Sequence, residues 1–240
     1  MVNNDGGNIT LAAEGAAAAD DLTISANVTA AGGNGNINLY AGDTISLTGT
    51  ITVSAAGTGA VLGMAGTNFA DGTPANGTAT GDVSMADGTT IQSADGNITL
   101  RAPGNVSLSI VNANSNSDAT LGDVIVTADY AGVAGCLSDN IGAISDNLTG
   151  EAANITGDQA ALRAGSGIGD GVAPNDADID VAINTLSAVT ESGDIHLQDL
   201  AGGLTIDTFD SLSGVTIADA LDNNSGDRHA RQAEIGRAHV

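Results

Sequence analysis

The segment Gly96–Tyr130, GNITLRAPGNVSLSIVNANSNSDATLGDVIVTADY, repeats one short phrase three times, starting at Gly96, Gly104 and Gly122. Each copy has glycine, then Asn or Asp, then a β-branched residue, a variable residue and an apolar residue. We interpret each copy as a turn followed by a short strand. Glycine permits positive φ, Asn and Asp bond their own backbone, and β-branched residues favour an extended chain.

Further copies of the phrase begin at Gly7, Gly35, Gly81 and Gly193. Within a copy the apolar residues alternate with polar ones, so one row faces an interior and a hydroxyl row faces water. Copies about 8 residues apart suit consecutive faces of one coil, and copies about 20 to 30 apart suit successive coils. The sequence therefore predicts an all-β fold, a right-handed single-stranded parallel β-helix (β-solenoid) of roughly ten irregular coils.

The composition limits both the residues that can fill the core and the partners that the chain can bind. Apolar residues make up 42% and aromatic residues 2%, with no Trp, so Ile, Val, Leu and Ala must fill a narrow interior. The formal net charge is −24 and Lys is absent, which excludes the basic patch that nucleic acid or an anionic membrane surface requires. The acidic residues, mostly Asp beside Gly and Asn, are interpreted as turn and solubility residues; extracellular calcium binding is the alternative.

The chain in order suggests one domain with two interruptions. A loop that leaves the solenoid is expected over 58–80, and an irregular insertion over about 131–175. Leu137, Ile141, Ile144 and Leu148 have helical spacing, so a short amphipathic helix inside that insertion is the alternative. Strands are expected over Ile9–Ala13, Leu22–Ala26, Ile37–Tyr40, Thr44–Leu47 and Thr50–Ser54, then densely over 81–130 and again from Ala177.

The two ends of the sequence differ from the rest. The solenoid domain is predicted to span 1–227. Residues 228–240 carry three of the five arginines, and Glu234–Val240 looks like a translated sequencing adapter, so we expect a non-native tail. Met1–Asp5 has neither a basic nor an apolar segment, so no signal peptide is expected, and no apolar run is long enough for a transmembrane helix. We interpret the chain as a fragment of a larger secreted protein.

Residues with catalytic chemistry are few. His196 stands at the variable position of a phrase, where an exposed residue is expected, and Cys136 has no histidine nearby in sequence. Gly165–Gly171 matches no nucleotide-binding motif and is interpreted as a turn. Asp176–Asp180 begins like a calcium loop but lacks its Gly and Glu, which excludes an EF-hand and leaves a bridging cation open. We predict no catalytic, cofactor-binding or metal residues.

Two further functions remain as alternatives. A β-helical polysaccharide lyase or hydrolase would need carboxylates that converge with Arg101 or Arg163 in one groove. An ice-binding face would need a flat row of hydroxyls, for which the candidates are Thr44, Ser46, Thr48, Thr50 and Thr52; that row is not regular enough to be preferred.

With these motifs in view, most of residues 7–227 resembles the large secreted β-helix proteins of Gram-negative bacteria, of the filamentous-haemagglutinin and autotransporter-passenger (adhesin) type. The resemblance rests on the Gly-Asn/Asp-Ile/Val-Thr-Leu phrase. It rests also on Leu162–Gly169, Leu186–Ala188 and Gly193–Ile195. It implies export and a non-enzymatic structural or adhesive role at the cell surface, with cell-surface glycans or proteins as partners. We expect an extracellular stalk segment without membrane insertion.

Overall fold

The computed structural model of the chain describes residues 1–13, 20–68, 75–76, 81–130, 141–169 and 177–207. In this part of the chain every regular element is a strand, and most strands are three to five residues long. The strands in chain order are β1 Val2–Asp5, β2 Ile9–Ala13, β3 Leu22–Ile24, β4 Val28–Ala31, β5 Ile37–Ala41, β6 Ile45–Leu47, β7 Thr52–Ala55, β8 Val61–Met64, β9 Thr67–Asn68, β10 Ala75–Asn76, β11 Val83–Met85, β12 Thr90–Ser93, β13 Ile98–Arg101, β14 Val106–Leu108, β15 Ile110–Asn112, β16 Val124–Thr127, β17 Ala143–Asp146, β18 Ile155–Thr156, β19 Gln159–Ala164, β20 Gly167–Ile168, β21 Ile179–Ala182, β22 Thr185–Thr190, β23 Leu197–Asp199 and β24 Thr205–Ile206.

Three sheets of parallel strands run the length of the described chain. Sheet 1 orders its strands β1-β4-β7-β12-β15-β18-β21-β23, sheet 2 orders them β2-β5-β8-β13-β16-β19-β22-β24, and sheet 3 orders them β3-β6-β11-β14-β17-β20. Successive coils of the chain each contribute one strand to sheet 1 and one to sheet 2, which makes eight coils within residues 1–207. The predicted parallel β-solenoid is confirmed. The expected coil count of roughly ten included residues 208–227, which lie outside the described chain.

The core is a set of apolar columns that run through the coils. In sheet 2, one column stacks Ile9, Ile37, Val61, Ile98 and Val124 in strict register. Each of these side chains is at most 6% exposed. Branched aliphatic side chains stacked at strand spacing, about 4.8 Å, fill a narrow interior without aromatic residues. The low aromatic content therefore matches the shape of the lumen.

The phrase glycines are needed for close packing between coils. Gly7, Gly35, Gly59, Gly96 and Gly122 form a column at the corner that leads into sheet 2, and their φ angles lie outside the left-handed region. A Cβ on Gly35, Gly59, Gly96 or Gly122 would strike the carbonyl oxygen of the column glycine one coil earlier. The expectation that positive φ explains the phrase is wrong at these positions, and it holds at Gly81 and Gly193.

The residue after each column glycine links one coil to the next. Asn8 Oδ1 accepts the backbone N–H of Asn36 at 2.9 Å, and Asn36 Oδ1 accepts that of Ala60 at 2.9 Å. Asn97 Oδ1 accepts that of Asp123, again at 2.9 Å. The amide oxygens thus satisfy backbone donors at a corner where no strand pairs. This explains why Asn or Asp follows the glycine in the phrase.

The predicted insertion over 131–175 is largely wrong. Strands β17, β18, β19 and β20 lie within it and pair in register with neighbouring coils. The alternative of a helix fails too, because Ile144 lies fully buried in β17 while Ile141 is exposed. Polar residues such as Ser145 and Asn147 between the apolar ones produced helical spacing by coincidence. Residues 131–140, with Leu137, lie outside the described chain.

The other boundaries need smaller corrections. The loop expected over 58–80 starts later, because Val61–Met64 forms β8 in sheet 2. The antiparallel pair β9 and β10 follows within that loop. Strands β1 and β4 were not predicted, since Val2–Asp5 and Val28–Ala31 lack the glycine phrase. Both pair in sheet 1.

Candidate functional site

The most distinctive row of side chains in the described chain faces away from the lumen at the end of the sheet 2 strands, and four of its five residues are nevertheless buried. Tyr40, Met64, Arg101, Thr127 and Arg163 occupy this row on five successive coils, each paired in register with the next. Alternation places them outside, because their neighbours one residue away face the lumen. We call these five residues the sheet 2 row. It holds the only two arginines found before residue 228.

An aromatic cluster lies over part of this row. Tyr40, Met64 and Tyr130 pack together, each 5–6% exposed, with half-buried Leu62 against them. The Arg101 guanidinium carbon lies 5.0 Å from the centre of the Tyr130 ring, in a cation–π contact. Its Nη1 also donates to the Tyr130 hydroxyl at 3.4 Å. The first arginine of the row is therefore stacked on a tyrosine.

The second arginine of the row is ion-paired. Arg163 Nη2 lies 2.8 Å from Glu191 Oε1, and the Arg163 side chain is 11% exposed. Thr127 stands between Arg163 and Arg101 in register and is itself buried. Because the ion pair is partly desolvated, it fixes the position of the arginine as well as neutralising it. Two cations and two tyrosines thus gather on one face of a chain that is strongly acidic elsewhere.

Sequence reasoning named Arg101 and Arg163 separately and missed that they share a row. A signal for it was present. At the end of four strands an apolar residue is followed by a row residue and then by alanine, in or just after the strand: Leu39-Tyr40-Ala41, Leu100-Arg101-Ala102, Val126-Thr127-Ala128 and Leu162-Arg163-Ala164. The alanines are buried at 0–1% exposure. Aligning that alanine between phrases would have placed Tyr40, Arg101 and Arg163 together.

The other residues singled out from the sequence do not join this row. His196 follows an isolated bridge between Ile168 and Ile195, its side chain is 42% exposed, and its Nε2 lies 4.0 Å from Asp194 Oδ2. His196 is thus partly exposed, at a position where the sequence predicted an exposed residue. Gly165–Gly169 forms the corner between β19 and β20 and the short strand β20 itself. Cys136 lies outside the described chain.

The acidic run at Asp176–Asp180 leads into sheet 1. Asp178 is half-buried and Asp180 is 3% exposed in β21; Asp176 lies outside the described chain. The backbone of Asp180 is joined to Asn154, whose Oδ1 accepts its N–H at 2.9 Å. In the described part of the chain, no group of three or more His, Cys, Asp or Glu side chains could hold a metal ion.

The hydroxyl row considered for ice binding is not a row. Ser46 lies in β6 of sheet 3, whereas Thr52 lies in β7 of sheet 1, so the two face different sides. The structure instead aligns Thr23, Ser46, Ser84, Ser107 and Ser145 along sheet 3. Ser107 Oγ and Ser145 Oγ are 3.1 Å apart. Such a row can be recognised only once the register between coils is known.

Carboxylates lie at the corners between sheets, where they bond backbone. Asp82 Oδ1 accepts the N–H of Asn105 at 2.6 Å. Hydrogen bonds from the backbone and hydroxyl of Thr149 lower the pKa of Asp87 below its ordinary value. Burial, together with the nearby charge of Asp158, raises the pKa of Asp123. The environment of each carboxylate is set by its corner, and these corners are separate from the sheet 2 row.

Comparison of the chain with protein-family models, with curated proteins and with solved structures finds no match. The described residues also include no helix that is long and apolar enough to cross a membrane.

Proposed function

We propose that this chain is a non-enzymatic structural or adhesive stalk segment of a bacterial surface or secreted protein. The observation that carries the proposal is the unbroken parallel register of sheets 1 and 2 over eight coils. Each coil packs only on its neighbours, so the assembly extends by about 4.8 Å per coil without needing a larger core. An elongated body with repeated polar faces suits weak contacts made many times along its length.

The placement of charge supports a scaffold better than a catalyst. Carboxylates such as Asp82 and Asp123 lie at corners and bond backbone or amide groups of the next coil. Arg163 is neutralised by Glu191, and Arg101 is stacked on Tyr130. Side chains that hold the framework together in this way are not arranged around a substrate. Cell-surface glycans or proteins are the partners we propose, in an extracellular setting.

The test compares multivalent with monovalent binding. Beads coated with the chain, and the soluble chain, are applied to surfaces that carry neutral glycans, acidic glycans or extracellular proteins. Multivalent display amplifies weak contacts by about 10²–10⁴-fold, so bead retention with weak soluble binding is expected. Beads coated with heat-unfolded chain are the control. Equal retention of folded and unfolded chain, or no retention on any surface, would contradict an adhesive role.

A carbohydrate-active enzyme is the second candidate, favoured by one observation. The sheet 2 row brings both arginines and an aromatic cluster to the same face. The assay incubates the chain with acidic and neutral polysaccharides and follows new reducing ends and unsaturated products. If the wild type forms product and both Arg101→Ala and Arg163→Ala fail to form it, the enzyme would be the better proposal and the scaffold would be abandoned.

A calcium-stabilised module can be distinguished by comparing the Tm of the chain in about 5 mM calcium, which is of the extracellular order, with its Tm in EDTA. A stalk that does not use calcium melts at the same temperature in both. A rise of Tm in calcium that magnesium does not reproduce would support the calcium module.

A further inference from the structure

The repeated phrase overlaps a second sequence pattern. Asparagine followed two residues later by Ser or Thr, with any residue except Pro between them, is the tripeptide at which sugars are attached to the asparagine amide nitrogen. We call this tripeptide a sequon. The sequence contains eight sequons, which begin at Asn8, Asn27, Asn76, Asn97, Asn105, Asn147, Asn154 and Asn223.

The solenoid places most of these sequons at its corners in one orientation. Within the described chain, six asparagines directly precede a strand and accept a backbone N–H from the next coil: Asn8, Asn27, Asn36, Asn97, Asn105 and Asn154. All of them except Asn36 begin a sequon. The middle residue of each of these five sequons is buried in the lumen. Period-2 alternation therefore puts the asparagine and the hydroxyl residue together on the outward side.

The oxygen and the nitrogen of the corner amide have different roles. Asn27 Oδ1 accepts the N–H of Thr52 at 3.0 Å, and Asn8 Oδ1 joins its coil to the next in the same way. Both asparagines are exposed, and neither Nδ2 has a hydrogen-bond partner within the described chain. Asn105 is also exposed, and only one of its Nδ2 hydrogens is used, in a bond of 3.3 Å to Asp82 Oδ1. A group added to Nδ2 would therefore leave intact the oxygen that links the coils.

Two other sequons have the same sequence pattern but a different environment. Asn154 is 1% exposed, and its Nδ2 donates to the Ser109 carbonyl oxygen at 3.2 Å and to Asp146 Oδ1 at 2.6 Å. Both of its amide hydrogens are used, and the residue is out of reach of an enzyme. Asn147 is exposed, but its Nδ2 donates to the Met85 carbonyl oxygen in a short bond of 2.6 Å. The fold thus separates usable sequons from unusable ones.

We propose that Asn8, Asn27 and Asn105 are attachment sites for N-linked sugars. The donor is a sugar activated as a nucleotide-linked or lipid-linked phosphate ester, and the partner is a glycosyltransferase that recognises the sequon. Nδ2 forms a bond to the anomeric carbon of the sugar, and the bond from that carbon to the phosphate oxygen breaks. The carrier phosphate leaves with the electron pair, and the proton lost from Nδ2 passes to a base of the transferase.

The three sites are distributed around the solenoid. Asn8 lies at a corner that leads into sheet 2, Asn27 at one that leads into sheet 1, and Asn105 at one that leads into sheet 3. Sugars would therefore surround the body of the solenoid instead of covering one face. The inference rests on the corner geometry and does not depend on the role as a stalk, so either proposal can fail without the other.

The experiment incubates the folded full chain with a soluble transferase that adds one hexose from a nucleotide sugar to a sequon. The enzyme is chosen as one that modifies two synthetic peptides, residues 5–12 and residues 151–158, which carry the sequons of Asn8 and Asn154. Because the chain lacks Lys, the sites are mapped by mass spectrometry after cleavage at Asp. In the folded chain we expect hexose at Asn8, Asn27 and Asn105 and none at Asn154.

Matched variants at one site separate the sequon from the corner bond. Thr29→Ala should abolish transfer to Asn27, and Thr29→Ser should retain it. Asn27→Asp keeps an oxygen for the N–H of Thr52, as Asp21 does at its own corner, so this variant should fold but accept no hexose.

The melting temperature supplies a second readout. Because Oδ1 keeps its bond to the next coil, the chain that carries hexose should melt at the same temperature as the unmodified chain. Absence of hexose from all three proposed sites would overturn the proposal, since the same enzyme modifies the peptide. Modification of Asn154 in the folded chain to the same extent as Asn8, or a fall in Tm on modification, would also overturn it.

Discussion

The two corners that lead into sheets 2 and 3 are built from the same phrase but hold their coils together differently. The sheet 2 corner stacks glycine directly on the backbone carbonyl of the preceding coil, from Gly7 to Gly122. The sheet 3 corner begins with carboxylates and has glycine from Gly81 onward. An added Cβ would strike the Asp43 carbonyl oxygen at Gly81 and the Gly104 carbonyl oxygen at Gly142. At Gly104 the nearest atom to an added Cβ is the Asp82 carboxylate oxygen, a side-chain atom.

The two residues of the phrase have separate roles. Its glycine permits close approach where the neighbour is rigid backbone, whereas its Asn or Asp joins one coil to the next. Backbone cannot move aside, so the sheet 2 corner should tolerate no side chain. At Gly104 the facing group is a carboxylate, which can rotate, so this position of the sheet 3 corner should tolerate a methyl group better than Gly81, Gly142 or the sheet 2 glycines.

The largest effect is expected at the glycine column. In Gly96→Ala the new Cβ would lie 2.6 Å from the Gly59 carbonyl carbon and 2.7 Å from the Thr58 carbonyl oxygen. Forcing these coils apart should lower the free energy of unfolding by about 1–3 kcal/mol, measured by urea titration. Gly104→Ala should cost less, because the Asp82 side chain can move and the Gly81 carbonyl oxygen is 3.0 Å away.

A neutral substitution on the same strand serves as control. Thr99→Val keeps a β-branched residue on the outward side of β13 and should change stability by within about 0.5 kcal/mol. If Gly104→Ala costs as much as Gly96→Ala, then rigid backbone contact is not what separates these two positions.

The next effect concerns the amide that follows the glycine. Asn97→Ala removes the acceptor of the Asp123 N–H and should cost about 1 kcal/mol. The converse change is available on the preceding coil, where Ala60 occupies the Asn position and offers no side-chain acceptor. Ala60→Asn should stabilise the chain by about 0.5–1 kcal/mol. Destabilisation by Ala60→Asn in thermal melts would show that the corner lacks room for the amide.

The fold was predictable from the sequence because its phrase carries both a period-2 pattern and a corner signal. Ile98, Thr99 and Leu100 alternate inside and outside as expected, and Gly96 and Gly104 lead into different sheets of one coil. Strands without the phrase, such as β4 and β18, escaped prediction. Their corners use Asn27 and Asn154 alone, and Asn without Gly is too common to indicate a strand.

The sheet 2 row could not be predicted in the same way. Arg101 and Arg163 become neighbours of Thr127 only through inter-coil register, and coil lengths vary. Corner bonds join residues 23 apart between Asp82 and Asn105 but 38 apart between Asn105 and Ala143. No fixed period therefore aligns the outward residues. The number of residues between equivalent positions on successive coils depends on loop lengths. The alternation of apolar and polar residues does not predict those lengths.

A smaller effect is expected from Asp123, which carries a raised pKa at the sheet 2 corner, where Asp158 lies nearby. Its folded pKa exceeds the unfolded value, so its stabilising contribution exists at low pH and is lost as the pH rises. Asp123→Asn should be more stable than the wild type at pH 7, and the gap should close toward pH 4. Urea titrations at four pH values test this. A gap that is constant with pH would mean that repulsion from Asp158 is negligible.

The smallest effect, with the opposite sign, belongs to Asp87. Its Oδ1 and Oδ2 accept the backbone N–H and hydroxyl of Thr149 at 3.0 and 2.9 Å, and these bonds lower its pKa. Its contribution is therefore present above the unfolded pKa and lost as the pH falls through the folded pKa. Asp87→Asn should be slightly less stable than the wild type at pH 7, with the gap closing in acid, when measured at low salt.

Thr149→Val is the matched change for Asp87, because it removes the hydroxyl donor and keeps the backbone one. In the Thr149→Val background, the stability difference at neutral pH between the chain with Asp87 and the Asp87→Asn variant should be smaller but still present. The Asn variants at 87 and 123 should then have pH profiles of opposite slope in one chain. Two profiles of the same slope would mean that net charge, rather than the local corner, governs how this solenoid responds to pH. That outcome would show that the local environments of Asp87 and Asp123 do not set their separate responses to pH.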